Sequence, residues 1–193
     1  LKISSNSCGA IPAPLSLTEI SNVYLLIYKC TSILPLSSQY FMALESKLLI
    51  IGSGKNKTMI ENYINENNLH YSAKLIPFQK NPYKYMNLTD LFVLTSKFEG
   101  LPNVLLEALC LKKFVISTNC PTGPSEILLR GKAGYLFEIG NYKQLAKKIL
   151  THYKKQRRNR LMTNYGYLSL SRYDYKKNCE KYFNLISDYL KNE

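Results

Sequence analysis

Between Leu91 and Leu111 an apolar strand gives way to a helix across one short turn, and few architectures accommodate that junction. Leu91-Phe-Val-Leu-Thr95 reads as the strand and Asn103-Val-Leu-Leu-Glu-Ala-Leu-Cys-Leu111 as the helix. Gly100 and Pro102 stand between them, which suits a strand that stops and a helix that starts at once. Glu99 falls in the loop at the strand's carboxyl end. Glu107, with seven residues intervening, falls about one turn into the helix. In an open parallel sheet, that edge is where ligands bind.

The chemistry of the junction suits an anionic ligand rich in hydroxyls. A helix start offers unpaired N–H groups and a partial positive charge, a ready phosphate site. A carboxylate accepts hydrogen bonds in pairs and so grips the vicinal hydroxyls of a sugar or ribose. Nucleotide-sugars combine both features. The alternative is that Glu99 and Glu107 are ordinary solvated or helix-starting acids, and spacing alone does not choose between the two readings.

From Lys47 onward strands and helices alternate. Strands are expected at Leu48–Ile51, Ala73–Ile76, Leu91–Thr95, Phe114–Ser117 and Tyr135–Phe137. Helices are expected at Lys57–Asn67, with Met59, Ile60, Tyr63 and Ile64 on one side, and at Pro82–Met86, Asn103–Leu111 and Pro124–Leu129. A further helix, Asn141–Tyr153, turns Leu145, Ile149 and Leu150 inward. This alternation implies an α/β fold with a parallel, helix-covered sheet. The tail, Arg157–Asn192, reads as helical pieces broken near Gly166, and Tyr175, Cys179, Tyr182, Phe183, Ile186 and Leu190 recur at helical spacing, as core residues would.

The stretch Ser96-Lys-Phe-Glu-Gly-Leu-Pro-Asn-Val-Leu-Leu-Glu-Ala-Leu109 resembles the donor-site signature of retaining GT-B glycosyltransferases of family 4. Four more segments, in order, resemble the same family: Lys47-Leu-Leu-Ile-Ile-Gly-Ser-Gly-Lys55; Ile76-Pro-Phe-Gln with Asn81-Pro-Tyr-Lys-Tyr-Met86; Phe114 to Ile127; and Gly134-Tyr-Leu-Phe137. The resemblance runs from about Leu44 to Ile149 and implies a Rossmann-like parallel sheet with helices on both faces, the C-terminal half of a GT-B fold. It implies that Glu99, Gly100 and Leu101 approach the donor sugar and phosphate and that Glu107 binds the ribose hydroxyls. Phe78 would lie beside the base, although as an isolated aromatic it reads equally as core. Glu126 matches a recurrent position without an assigned role. The implied activity is retaining transfer of a hexose-type sugar from a nucleotide diphosphate donor to a cell-surface glycan or glycolipid precursor. No residue stands out as a catalytic base, and no cofactor or metal is implied.

One departure from the pattern matters. The family's Gly-Arg-Leu turn and following Lys-Gly, which clasp the diphosphate, do not occur before Lys47. Residues 1–46 hold only four charged residues, Lys2, Glu19, Lys29 and Glu45, and show no clean helical or strand period. They read as an atypical N-terminal segment, disordered or the remnant of a truncation or frameshift. Residues 47–193 read as the nucleotide-sugar-binding domain with a helical tail. The alternative function is therefore an inactive nucleotide-sugar-binding remnant, or half of a split enzyme whose acceptor domain is a separate chain. On either reading the isolated chain is expected not to transfer sugar.

Composition removes several other classes. With 193 residues the chain holds one substantial core. Its longest apolar stretch, Val23-Tyr-Leu-Leu-Ile-Tyr28, is too short to span a membrane, and no secretory leader pattern is visible. Five scattered cysteines suit reduced, cytoplasmic thiols, and Cys110 reads as core. His70 and His152 lack the companions a metal site needs. Gly52-Ser-Gly54-Lys55 fails the P-loop spacing. A glycosidase would need two carboxylates flanking one bond, which the helix-start position of Glu107 does not suit. The net charge is +13, of which +9 lies in residues 141–193. That tail reads first as a solvated helix face and second as a peripheral contact with anionic lipid at the inner face of the membrane. Nucleic acid is disfavoured, because the cations are not interleaved with aromatics on a sheet.

Overall fold

The computed structural model describes residues 21–29 and 46–191. Its strands are β1 (Ser21–Lys29), β2 (Ser46–Ser53), β3 (Ala73–Ile76), β4 (Leu91–Leu94), β5 (Phe114–Thr118) and β6 (Tyr135–Phe137). Its α-helices are α1 (Lys57–Glu66), α2 (Tyr83–Asn87), α3 (Asn103–Cys110), α4 (Pro124–Ile127), α5 (Tyr142–Lys154), α6 (Gln156–Ser169) and α7 (Tyr175–Lys191). They build one sheet in the order β3-β2-β1-β4-β5-β6.

The expected α/β sheet is present, with one strand reversed. The pairs β2/β3, β4/β5 and β5/β6 are parallel. Strand β1 runs antiparallel to both β2 and β4, so β2 through β6 share one direction. This strand lies in the segment whose sequence shows no period. A strand flanked on both sides needs no polar alternation, so its apolar run carries no period to detect. Residues 1–20 and 30–45 of that expectation lie outside those described.

Side chains alternate across each strand and feed two cores. Ile50, Leu91, Val93, Phe114 and Ile116 face one layer with Ile60 of α1, Leu145 and Ile149 of α5, and Met162 of α6. Leu49, Ile51, Phe92, Leu94 and Val115 face the other with Met86 of α2, Leu105, Ala108 and Leu109 of α3, and Ile127 of α4. Helices therefore cover both faces. The chain starts α6 on the first face, and beyond it Leu170 and Tyr173 pack against the second. It thus passes around the amino edge of the sheet.

Several local expectations need correction. Helix α6 runs through Gly166 instead of breaking there, and the break comes at the 3-10 turn Leu170–Tyr173. Gly166 is a packing residue: a Cβ would lie 2.8 Å from Leu109 Cδ2 and 3.2 Å from the Cβ of Ala133. Cys110 is exposed, because it ends α3 on the side away from Ala108 and Leu109. Met59 and Leu150 point outward, while Ile60, Leu145 and Ile149 make the contacts with the sheet. The apolar stripe of α7 is not core. None of that helix's residues is buried, and Tyr175, Tyr182, Phe183, Ile186 and Leu190 are all exposed. Among the described residues no helix is long and apolar enough to cross a membrane.

Candidate functional site

The parallel pairing of β4 with β5, in register from Leu91↔Phe114 to Leu94↔Ser117, brings two loops side by side at the carboxyl edge. The first, 95–102, carries Glu99, Gly100 and Leu101; the second spans 119–123. They are stitched together by polar contacts. The Thr118 hydroxyl donates to the Ser96 carbonyl at 2.7 Å, and the Cys120 thiol donates to the same oxygen at 3.0 Å. The Thr122 hydroxyl donates to the Glu99 carbonyl. Burial pushes the Cys120 thiol pKa up, and the nearby Glu99 carboxylate adds to the rise while the Thr118 contact opposes it.

Gly123 closes the junction. Its φ is +83°, and a Cβ there would meet the Gly100 carbonyl oxygen at 2.2 Å and Pro102 Cδ at 2.6 Å. Backbone meets backbone at this point, which only glycine permits. Gly100 itself is exposed, with nothing within 4 Å of a would-be Cβ. The space beside its Cα is open, and the side chain of Leu101 is half-exposed.

Pro102 is buried and leads straight into α3, whose start has no side-chain cap. Its first N–H groups are therefore available to an outside acceptor. Glu107, the fifth residue of α3, has an unusual environment. Its Oε2 is sealed from solvent without a hydrogen-bond partner. An unpaired buried carboxylate oxygen is expensive. The carboxylate as a whole has a partner: the Tyr83 hydroxyl at the start of α2 hydrogen-bonds to it, and the Glu107 charge, burial and that bond together raise the pKa of the hydroxyl.

Phe78 is exposed, which decides between its two sequence readings against the core. It follows β3 and so lies at the same carboxyl edge. Its loop is joined to α2 by Tyr85 Oη–Gln79 Oε1 at 3.4 Å and by the Tyr83 N–H donating to Asn81 Oδ1 at 3.1 Å. All five expected site residues thus belong to one edge of the sheet. Glu99 precedes and Glu107 follows the open helix start, while Phe78 stands farther along the edge, after the outermost strand β3. Glu126 sits exposed in the first turn of α4 and makes no side-chain contact with this group. Sequence reading passed over Tyr83, Cys120, Thr122 and Gly123. The run Pro121-Thr-Gly-Pro124 is the signal that could have found the last two, since it marks a turn with a positive φ.

The sheet order β3-β2-β1-β4-β5-β6, helices on both faces and a carboxyl-edge loop entering an uncapped helix define an α/β domain whose carboxyl edge is the place for a ligand. The chain belongs to the glycosyl transferases group 1 family, whose profile matches residues 34–187. It is 47% identical over 83 residues to an uncharacterized glycosyltransferase of Methanocaldococcus jannaschii, covering 43% of this chain and 20% of that protein. It is 38% identical over 95 residues to the N-acetylgalactosamine-N,N'-diacetylbacillosaminyl-diphospho-undecaprenol 4-alpha-N-acetylgalactosaminyltransferase of Campylobacter jejuni, covering 49% of this chain and 26% of that one. Among solved structures, a Staphylococcus aureus TarM mutant in complex with fondaparinux, alpha-GlcNAc-glycerol and UDP superposes with a TM-score of 0.65 at 28% identity, over 71% of this chain and 28% of that one. The chain thus spans between a fifth and just over a quarter of the length of these relatives.

Proposed function

We propose that the carboxyl edge binds a nucleotide diphosphate sugar and that the chain is the donor-binding half of a retaining hexosyltransferase acting on a cell-surface glycan or lipid-linked precursor. The observation that supports this reading is the half-buried Glu107 carboxylate beside an uncapped helix start. A ribose hydroxyl donates to the accessible part of this carboxylate, and a diphosphate supplies the missing acceptor for the α3 N–H groups. Glu99, Gly100 and Leu101 then face the sugar and its phosphate, and Phe78 faces the base. The relatives agree in kind: the Campylobacter protein is named for transfer to a diphospho-undecaprenol glycan, and the TarM crystal contains UDP.

In the reaction, the bond from sugar C1 to the diphosphate oxygen breaks, and the diphosphate leaves with the electron pair. A bond from C1 to the acceptor oxygen forms on the same face, and the acceptor hydroxyl gives its proton to the departing diphosphate oxygen. The protein's share is electrostatic stabilisation of the leaving diphosphate, to which the α3 N–H groups contribute. An acceptor-binding half, in the same protein or a partner chain, completes the cleft. The 193-residue chain by itself is expected to bind donor without transferring it, since holding the acceptor in line supplies much of such a rate.

Calorimetric titration with UDP, GDP and ADP tests the site. Losing a charge-assisted hydrogen bond costs on the order of 1.5–3 kcal/mol. Glu107→Ala should therefore weaken the preferred nucleotide by roughly tenfold or more. Equal affinity in wild type and variant would remove Glu107 from the site.

A further inference from the structure

Between Glu138 and Asp174 the chain carries nine Lys or Arg and no acid. A solvated helix face normally mixes both signs. The densest part is the junction of α5 and α6, where Lys154, Lys155, Arg157, Arg158 and Arg160 occupy five of seven successive positions, all exposed. Lys154, Lys155, Arg157 and Arg158 share one shallow surface with Leu161. None of these four forms an ion pair among the described residues, and the first turn of α6 offers no acid. Their mutual repulsion is thus unrelieved within the described structure.

The surface is also apolar in a specific pattern. Leu161 and Leu168, 67% and 70% exposed, stand with half-exposed Tyr165 at i, i+7 and i+4 on the outer face of α6. Cations beside exposed leucines form the face of a helix that lies in a membrane interface, where the charges meet headgroups and the aliphatic groups enter the acyl boundary. A nucleic acid backbone would use the cations and find no use for the leucines.

We infer that the α5–α6 shoulder is a docking surface for an anionic lipid bilayer. The surface lies at the amino edge of the sheet, since His152 near the end of α5 stacks on Phe114, the first residue of β5. Glu99 and Glu107 belong to the opposite edge. Docking therefore leaves the donor edge open to the aqueous phase, and lipid binding and nucleotide binding fail independently.

Co-sedimentation of the 193-residue chain with phosphatidylcholine vesicles, with and without about one-third phosphatidylglycerol, tests the inference. Binding is expected only to the anionic vesicles and is expected to fall steeply with salt. The quadruple variant K154Q/K155Q/R157Q/R158Q should lower the partition coefficient at least about tenfold. Leu161→Ala should lower it severalfold, whereas Glu107→Ala should leave it unchanged. Equal binding of the wild type to neutral vesicles overturns the inference and needs no variant. Full binding by the quadruple variant also overturns it and moves the contact elsewhere, for example to the exposed stripe of α7. Capture by a DNA duplex at a salt concentration where vesicles fail to bind identifies the surface as a nucleic-acid contact instead.

Discussion

The two edges of the sheet use similar polar side chains to opposite ends. At the amino edge, Asn159 is buried and fully engaged. Its Oδ1 accepts from the Tyr135 hydroxyl at 2.9 Å, and its Nδ2 donates to the His152 carbonyl at 2.7 Å and faces His152 Nδ1 at 3.0 Å. Thr163 adds its own bond to the Asn159 carbonyl at 2.9 Å. At the carboxyl edge, Glu107 keeps one buried oxygen with no partner, beside loops held together by threonine hydroxyls donating to main-chain carbonyls. A satisfied polar cluster stabilises the fold, while an unsatisfied one is a cost that a ligand relieves. Truncating Asn159 should therefore cost stability, whereas changing Glu107 should cost binding.

The largest effect is expected where the carboxyl edge is fastened. Gly123→Ala places a Cβ against the Gly100 carbonyl at 2.2 Å in a left-handed conformation. The backbone strain alone costs about 1–3 kcal/mol, and the two loops must part to admit the methyl group. Nucleotide affinity should be lost along with stability. Gly100→Ala, with open space around it, should leave urea stability within about 0.5 kcal/mol of wild type. Similar unfolding midpoints for the two variants would mean the loops are not clamped at this point.

The next effect sets the edges directly against each other. Asn159→Ala strands the Tyr135 hydroxyl and His152 Nδ1 in a buried environment and leaves the His152 carbonyl only the 3.3 Å bond from the Lys155 N–H. We expect about 2–4 kcal/mol of destabilisation by urea unfolding, with nucleotide affinity unchanged. Glu107→Gln should do the reverse, weakening nucleotide while holding or raising stability, because it removes a half-buried negative charge one of whose oxygens has no partner. If both variants lose stability equally, Glu107 is an ordinary structural acid.

How much of this was legible in the sequence follows from what each feature needs. Strands β2 through β6 could be read because each is a short apolar run bounded by turn residues, and the helices between them keep their period. The junction from Leu91 to Cys110 could be read because Gly100 and Pro102 punctuate it. Strand β1 was hidden, since an apolar run with no alternation does not announce its direction or its neighbours. The role of Gly166 was hidden for a related reason. Glycine inside a helix looks like a break until Leu109 and Ala133 are seen to press against it. The outward turn of Cys110 and Leu150 depends on where a helix stripe ends, which periodicity resolves poorly at helix termini. In the site, Glu99 and Glu107 could be identified by spacing, but the clamp by Thr122 and Gly123 joins residues more than twenty positions apart. Only the pairing of β4 with β5 brings those residues together.

The smallest effect probes the amino edge through pH. Burial holds the His152 pKa below the ordinary histidine value of 6.5, with the Asp90 charge opposing. The neutral ring is consistent with the neighbouring amide, since Nδ1 can accept from Asn159 Nδ2 only while it carries no proton. As pH falls below about 6.5, the unfolded chain takes up this proton first, so it binds more protons than the folded state. Stability must therefore fall with falling pH through this window and level off once pH passes below the folded value. For a single proton the slope is at most about 1.4 kcal/mol per pH unit. Urea midpoints for wild type and His152→Gln, measured between about pH 7.5 and pH 5, should converge as the medium becomes acidic, because the variant has no such proton to bind. Parallel pH profiles would show that His152 is not held neutral by the fold. The buried cluster at the amino edge would then be wetter than its hydrogen bonds imply, and the contrast with Glu107 would narrow.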